Sequence, residues 1–204
     1  MQMQTQGRAS SARQLELLER AYDYVLQHGL TSLSLRPLAQ AIGSSPRVLL
    51  FLFGSKEGLV QALLARARAA ELEILRQIPP TGSPEDFAGV IRAVWQWLLD
   101  KQHRPMLVLW LETYARSLVE PDGPCADFAR KTVGDWLELL AARQPVPLRR
   151  SRAGAIERSL ALAVLRGALL DLLATGDEER ATAIVEAHLK TTVLGASVGT
   201  AARR

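Results

Sequence analysis

Apolar residues recur along this chain at spacings of three and four, and no stretch sustains the alternation that marks a strand. From Ser11 the series Leu15, Leu18, Tyr22, Val25 defines one face of a helix, which Gly29 is placed to stop. Two short segments follow. Leu35 to Ile42 is predicted helical, with Ser34 as its cap and Pro37 in the first turn, where a missing N–H costs little. Gly43-Ser44-Ser45 reads as a turn, and Ser45 with Pro46 opens a second short helix to about Phe51. Longer helices are predicted over Ser55–Ile78, Pro84–Asp100 (capped by Ser83), Pro105–Val119, Cys125–Ala142, Leu148–Ala174 and Asp177–Val193. Proline- and glycine-containing breaks at 79–82, 120–124, 145–147 and 175–177 separate them. The expected fold is all-α, with about nine helices.

Residues Leu35 to Phe51 have the length of a helix-turn-helix, with Gly43 in the turn and small or apolar Leu38, Ala39, Ile42 and Leu49 facing inward. In such a unit the second helix lies in the DNA major groove and its first residues reach base edges. Charge supports this by position more than by amount. The net charge is +4, of which residues 1–56, with six basic and three acidic side chains, carry +3.

Composition removes several other chemistries. A single cysteine, Cys125, permits neither an internal disulfide nor a cysteine-built zinc site, and His28, His103 and His188 are scattered. No nucleophile–base arrangement, phosphate loop or paired-carboxylate motif is present, so an enzyme is not expected, and neither is a cofactor or a metal. The first ten residues lack the layout of a secretory signal. The most apolar stretch, Leu160 to Ala174, is interrupted by Arg166 and Asp171 and falls short of the ~20 apolar residues a span needs. No membrane partner and a cytoplasmic location are expected.

Residues 13–64 resemble the DNA-binding domain of the tetracycline-repressor (TetR) family of transcriptional regulators. The resemblance is carried by His28-Gly29-Leu30, Thr31-Ser32-Leu33-Ser34-Leu35-Arg36, Leu38-Ala39, Gly43-Ser44-Ser45, Leu49, Phe53 and Ser55-Lys56-Glu57-Gly58-Leu59. It implies a DNA-binding domain over 1–56, with the helix from 55 as a link. A ligand-binding and dimerisation domain would cover 57–196 and a flexible tail 197–204. It further implies that Arg36 contacts base or backbone, that Pro46 starts the helix aimed at the groove, and that Arg47 and Val48 read base edges. Ser45 and Lys56 would hold phosphates. Arg8 and Arg13 are weaker candidates for contacts from an N-terminal arm. The chain also departs from the family. Arg47 stands where a glycine or small residue is usual, Leu50 where tyrosine is usual, and Phe51 where histidine is common. Neither Leu50 nor Phe51 can donate a hydrogen bond to phosphate, so operator and salt dependence are expected to differ from the family norm.

Seven of the 11 aromatic residues, including all four tryptophans, lie between Phe87 and Trp136. Ordinary core packing accounts for such residues; a ligand pocket between helices is the functional alternative, with Trp95, Trp110 and Tyr114 as candidates. Glu112 and Arg116 fit either a polar edge to that pocket or a solvated surface. Cys125 reads as a small apolar residue. The last two predicted helices mix Ala161, Ala163, Gly167, Ala168, Ala181 and Ala187 with larger aliphatics. In the resembling family these helices pair across a two-fold axis. The expected protein is therefore a ligand-responsive regulator, a repressor, that binds a palindromic double-stranded DNA operator as a homodimer and answers to a small-molecule effector. A helical protein-binding adaptor and a helical enzyme are the alternatives.

Overall fold

The computed structural model describes the backbone of residues 2–30, 32–76 and 84–201, and side chains over 11–30, 32–70, 72–73 and 87–191. Within these residues there is no strand. The helices are α1 (Gln2–His28), α2 (Leu35–Ala41), α3 (Pro46–Phe53), α4 (Lys56–Arg76), α5 (Pro84–Leu99), α6 (Arg104–Val119), α7 (Phe128–Arg143), α8 (Val146–Arg149), α9 (Arg152–Thr175) and α10 (Glu178–Ala201), with a 3-10 turn at Lys101–His103.

Most boundaries follow the sequence pattern, and the differences have local causes. α1 begins at Gln2, ahead of Ser11, and α10 runs on to Ala201, past the boundary drawn at 197. α3 reaches Phe53 before Gly54, at φ +79°, turns the chain. α7 starts at Phe128 instead of Cys125. The preceding residues close turns, in which the Ala126 N–H donates to Gly123 and the Phe128 N–H to Cys125. The single helix expected from Leu148 is two, because Ser151 adopts an extended backbone and its Oγ accepts the Gly154 N–H at 3.0 Å. That leaves α8 as a separate turn, and a Cβ at Gly154 would collide with the Leu148 carbonyl oxygen. Ser34 precedes α2 with extended backbone but makes no side-chain cap, contrary to expectation. The predicted cap Ser83, the end of helix four at Ile78 and the motif residue Thr31 lie outside the described residues.

The chain divides into two compact units. The first comprises Met1–Leu72 and Pro105–Arg130. Its core joins Leu17, Ala21 and Val25 of α1, Leu38 and Ala39 of α2, Leu49 of α3, Leu59 and Leu63 of α4, Leu109 of α6, and Cys125 and Phe128. Arg66 of α4 donates to Glu19 of α1 at 2.6 Å while lying over the Tyr22 ring, which adds a polar edge to this packing. Glu112 Oε2 on α6 accepts the Leu30 N–H at 2.9 Å, just after α1 ends at Gly29 with φ +78°.

The second unit comprises Glu73–Arg104 and Lys131–Arg204, and within it α5, α9 and α10 pack on one another. The buried Trp95 indole donates to Thr182 Oγ1 at 3.0 Å, tying α5 to α10, and Arg92 pairs with Glu186 across the same two helices. Gln144 is fully buried and fully bonded. Its Nε2 donates to the Gly154 carbonyl at 3.0 Å and to Glu157 at 2.7 Å, its Oε1 accepts from Arg158 at 3.2 Å, and its carbonyl accepts from Arg149 at 2.8 Å. A buried amide is tolerated because each polar atom finds a partner. On α9 the exposed positions Ala153, Ile156, Leu160, Ala163, Gly167, Leu170 and Ala174 recur at spacings of three and four, forming an uncharged stripe along the helix.

Candidate nucleic-acid interface

α2 ends in a left-handed glycine cap. Gly43, at φ +66°, donates to the Gln40 carbonyl at 3.3 Å, and Ser44 donates to the Ala39 carbonyl at 2.8 Å. This paired pattern satisfies the last carbonyls of the helix and turns the chain sharply. Arg20 of α1, itself held by Glu16 at 2.8 Å, donates to the Ile42 carbonyl at 3.3 Å and braces the turn from outside.

The start of α3 is set by Ser45, whose Oγ accepts the Val48 N–H at 3.3 Å, and by Pro46 in the first helical position. Its end is held from two sides. Gln14 Nε2 of α1 donates to the Leu52 carbonyl at 2.9 Å. Ser55 Oγ caps α4 by accepting the Gly58 N–H at 3.0 Å, and Gly58 brings that first turn against the Phe53 carbonyl oxygen, where a Cβ would collide.

Fixed at both ends, α3 buries Leu49 and packs Leu52 and Phe53 partly against the core. Its solvent face consists of Arg47, Val48 (38% exposed), Leu50 (40%) and Phe51 (81%). Arg36 is exposed on the first turn of α2, and Lys56 is exposed on the first turn of α4. Among the described residues Arg36, Arg47 and Lys56 form no ion pair. Three unneutralised cations on and beside a presented helix favour a polyanion. Arg13 differs, since it pairs with Glu16 at 2.6 Å; the Arg8 side chain lies outside the described residues. Ser45 is exposed, though its hydroxyl is engaged in the cap, and Pro46 is half-buried.

The sequence pattern alone gives Gln14, Arg20 and Gly58 no role. Gly58 carries a signal, its place in the Ser55–Leu59 run; Gln14 and Arg20 look like any polar residues on an amphipathic helix. The aromatic candidates divide between the units. Trp110 and Tyr114, both half-buried on α6, meet with tilted rings, centroids 5.2 Å apart, and pack on the first unit's core. Trp95 belongs to the second unit. Glu112 is tied to Leu30, and Arg116 pairs with Glu120 at 3.1 Å. Cys125 is buried, and burial pushes its thiol above the usual range against the pull of Arg116, which disfavours a reactive thiolate. Among the described residues no cluster of three His, Cys, Asp or Glu could hold a metal ion, and no single helix is long and apolar enough to cross a membrane.

Taken as architecture, this is an all-α fold with a helix-turn-helix near its N-terminus. Among solved structures it is similar to a transcriptional regulator from Rhodococcus sp. Rha1, at 20% identity over 89% of this chain and 96% of that one, with a TM-score of 0.73. It is also similar to a TetR transcription regulator from Haloarcula marismortui, at 18% identity over 92% and 98% of the two chains, with a TM-score of 0.66. A third similarity is to the multidrug binding protein EbrR complexed with proflavin, at 24% identity over 86% and 99%, with a TM-score of 0.64. The resemblance to the TetR family seen in the sequence therefore holds at the level of the fold. No protein-family model and no curated protein matches the sequence.

Proposed function

We propose that this protein is a dimeric, ligand-responsive transcriptional regulator, a repressor, that binds a palindromic operator through α2 and α3. The observation that carries the reading is the solvent face of α3, with Arg47 at its start and the unpaired cations Arg36 and Lys56 beside it. Arg47 and Val48 read base edges, Arg36 reads a base or a phosphate, and Lys56 neutralises phosphate. Ser45 and Pro46 set the angle at which α3 enters the groove, with Ser45 at the phosphate backbone.

Dimerisation is read from the uncharged exposed stripe of α9, which continues the small-residue pattern of the sequence. A two-fold dimer would set its recognition helices on half-sites about 34–36 Å apart. A small, largely apolar effector is read at Trp110 and Tyr114, where aromatic faces meet. Trp95, with its indole N–H engaged by Thr182, serves the packing of α5 on α10 in this reading. EbrR, a structural neighbour, is a multidrug binding protein solved with proflavin, which lends support to an aromatic effector. The division into a DNA-binding segment over 1–56, a sensing and dimerising segment over 57–196 and a tail is part of the same proposal, as is a cytoplasmic location.

The test is selection of bound duplexes from random DNA by the full chain, followed by affinity at several salt concentrations. A palindrome whose affinity falls steeply with salt is expected. Absence of enrichment, together with salt-insensitive binding to a protein partner, would replace the regulator with an adaptor.

A further inference from the structure

We infer that α3 selects its DNA site largely through thymine C5-methyl groups, with Phe51 at the centre of an apolar contact face; this rests on the DNA-binding reading above. At about 100° per residue, Phe51 lies about 40° around the helix from Arg47, with Val48 about 60° beyond it on one side and Leu50 about 100° away on the other. Phe51 thus stands between Arg47 and Val48 on the presented face, one turn along the helix from Arg47.

Of the four exposed side chains on this face only Arg47 can donate a hydrogen bond. Ser45, at the helix start, uses its Oγ to accept the Val48 N–H and lies ahead of this face. Every base pair shows donors or acceptors in the major groove, but the only apolar group there is the thymine methyl. Set against a G·C edge, three apolar side chains would strip water from its polar atoms and return nothing. Set against thymine methyls, they bury apolar surface on both partners.

The segment's apolar residues are also sorted by destination. Leu49, Leu52 and Phe53 face the core, whereas Val48, Leu50 and Phe51 are left to solvent, Phe51 the most of the three. An aromatic ring held in water on a braced helix gains most where a partner covers it. The exposed cations Arg36, Arg47 and Lys56, on α2, α3 and α4, make that partner a polyanion that also carries methyl groups.

The experiment uses the full chain and a duplex it selects from random DNA, prepared once with thymine and once with uracil at every thymine position. Uracil lacks only the methyl. At fixed salt, binding is expected to weaken about fourfold for each contacted methyl removed. Phe51→Ala, which keeps its fold because the ring is exposed, is expected to narrow the thymine-to-uracil ratio. Equal affinity for both duplexes, with random DNA still rejected, overturns the methyl reading and leaves the regulator reading standing. A ratio unchanged in Phe51→Ala overturns it as well, since the loss then belongs to the DNA itself. If no duplex is enriched at all, the DNA-binding reading fails and this inference with it.

Discussion

Glu112 of α6 accepts the backbone N–H of Leu30, the second residue after α1, at 2.9 Å. Leu30 is buried, so its N–H has no water to fall back on. Glu112→Ala is expected to cost about 1–3 kcal/mol, the penalty of a buried unsatisfied donor. Glu112→Gln, which keeps an acceptor oxygen, should lose much less. Urea unfolding of the two variants checks the difference; equal losses would mean that charge, and not the acceptor, matters at this position.

Glycine-to-alanine changes inside helices ordinarily stabilise by about 1 kcal/mol. Gly58 should reverse that sign, because a Cβ there collides with the Phe53 carbonyl oxygen, a backbone atom that cannot step aside. Gly58→Ala is expected to destabilise by about 1–3 kcal/mol. Gly134 of α7 has nothing within 4 Å of the same added atom. Gly134→Ala should therefore show the ordinary gain in the same denaturation series.

Arg47 and Lys56 should separate by the kind of DNA contact they lose. Arg47→Ala is expected to cost about 1–3 kcal/mol on the selected site and to relax preference at one base position. Lys56→Ala should weaken all sequences alike and reduce the slope of log affinity against log salt by about one. Titrations against selected and random duplexes at four salt concentrations distinguish the two.

Leu160 sits 51% exposed on the α9 stripe. Leu160→Glu should leave helicity unchanged while weakening self-association by at least about tenfold, or 1.4 kcal/mol. Sedimentation velocity reads the mass and circular dichroism the fold. A species of unchanged mass would place the dimer contact elsewhere.

The sequence pattern carried the helices because their buried faces repeat with the helical period, and Tyr22, Val25, Leu38 and Leu49 are buried as that period demands; the start of the α1 face was misplaced, since Leu15 is 59% exposed and Leu17 and Ala21 are buried instead. It also located the helix-turn-helix, since Gly43, Ser45 and Pro46 each do a job that few other residues can do. It missed the break at Ser151, because no proline lies between Leu148 and Ala174 and a serine among Arg149, Arg150 and Arg152 looks like ordinary helix surface. Gln144 was invisible for a different reason. A glutamine before a proline reads as loop surface, and only the three-dimensional meeting of Gly154, Glu157 and Arg158 turns it into a buried junction. Glu112 and Gln14 share that fate: their partners are backbone groups distant in sequence, which no periodicity encodes.

The close fit at Gly58 has a mechanical consequence. With the Phe53 carbonyl lodged where a side chain would be, and Ser55 and Gln14 bonding on either side of the joint, the link between α3 and α4 has no slack. A tilt of the first turns of α4 would then pass to α3, as a crank passes rotation, instead of being absorbed in a flexible elbow. In the proposed two-fold regulator, a few degrees at α4 in each subunit would change the reach between the paired reading heads, and the joint would gear that motion to the pitch of the double helix.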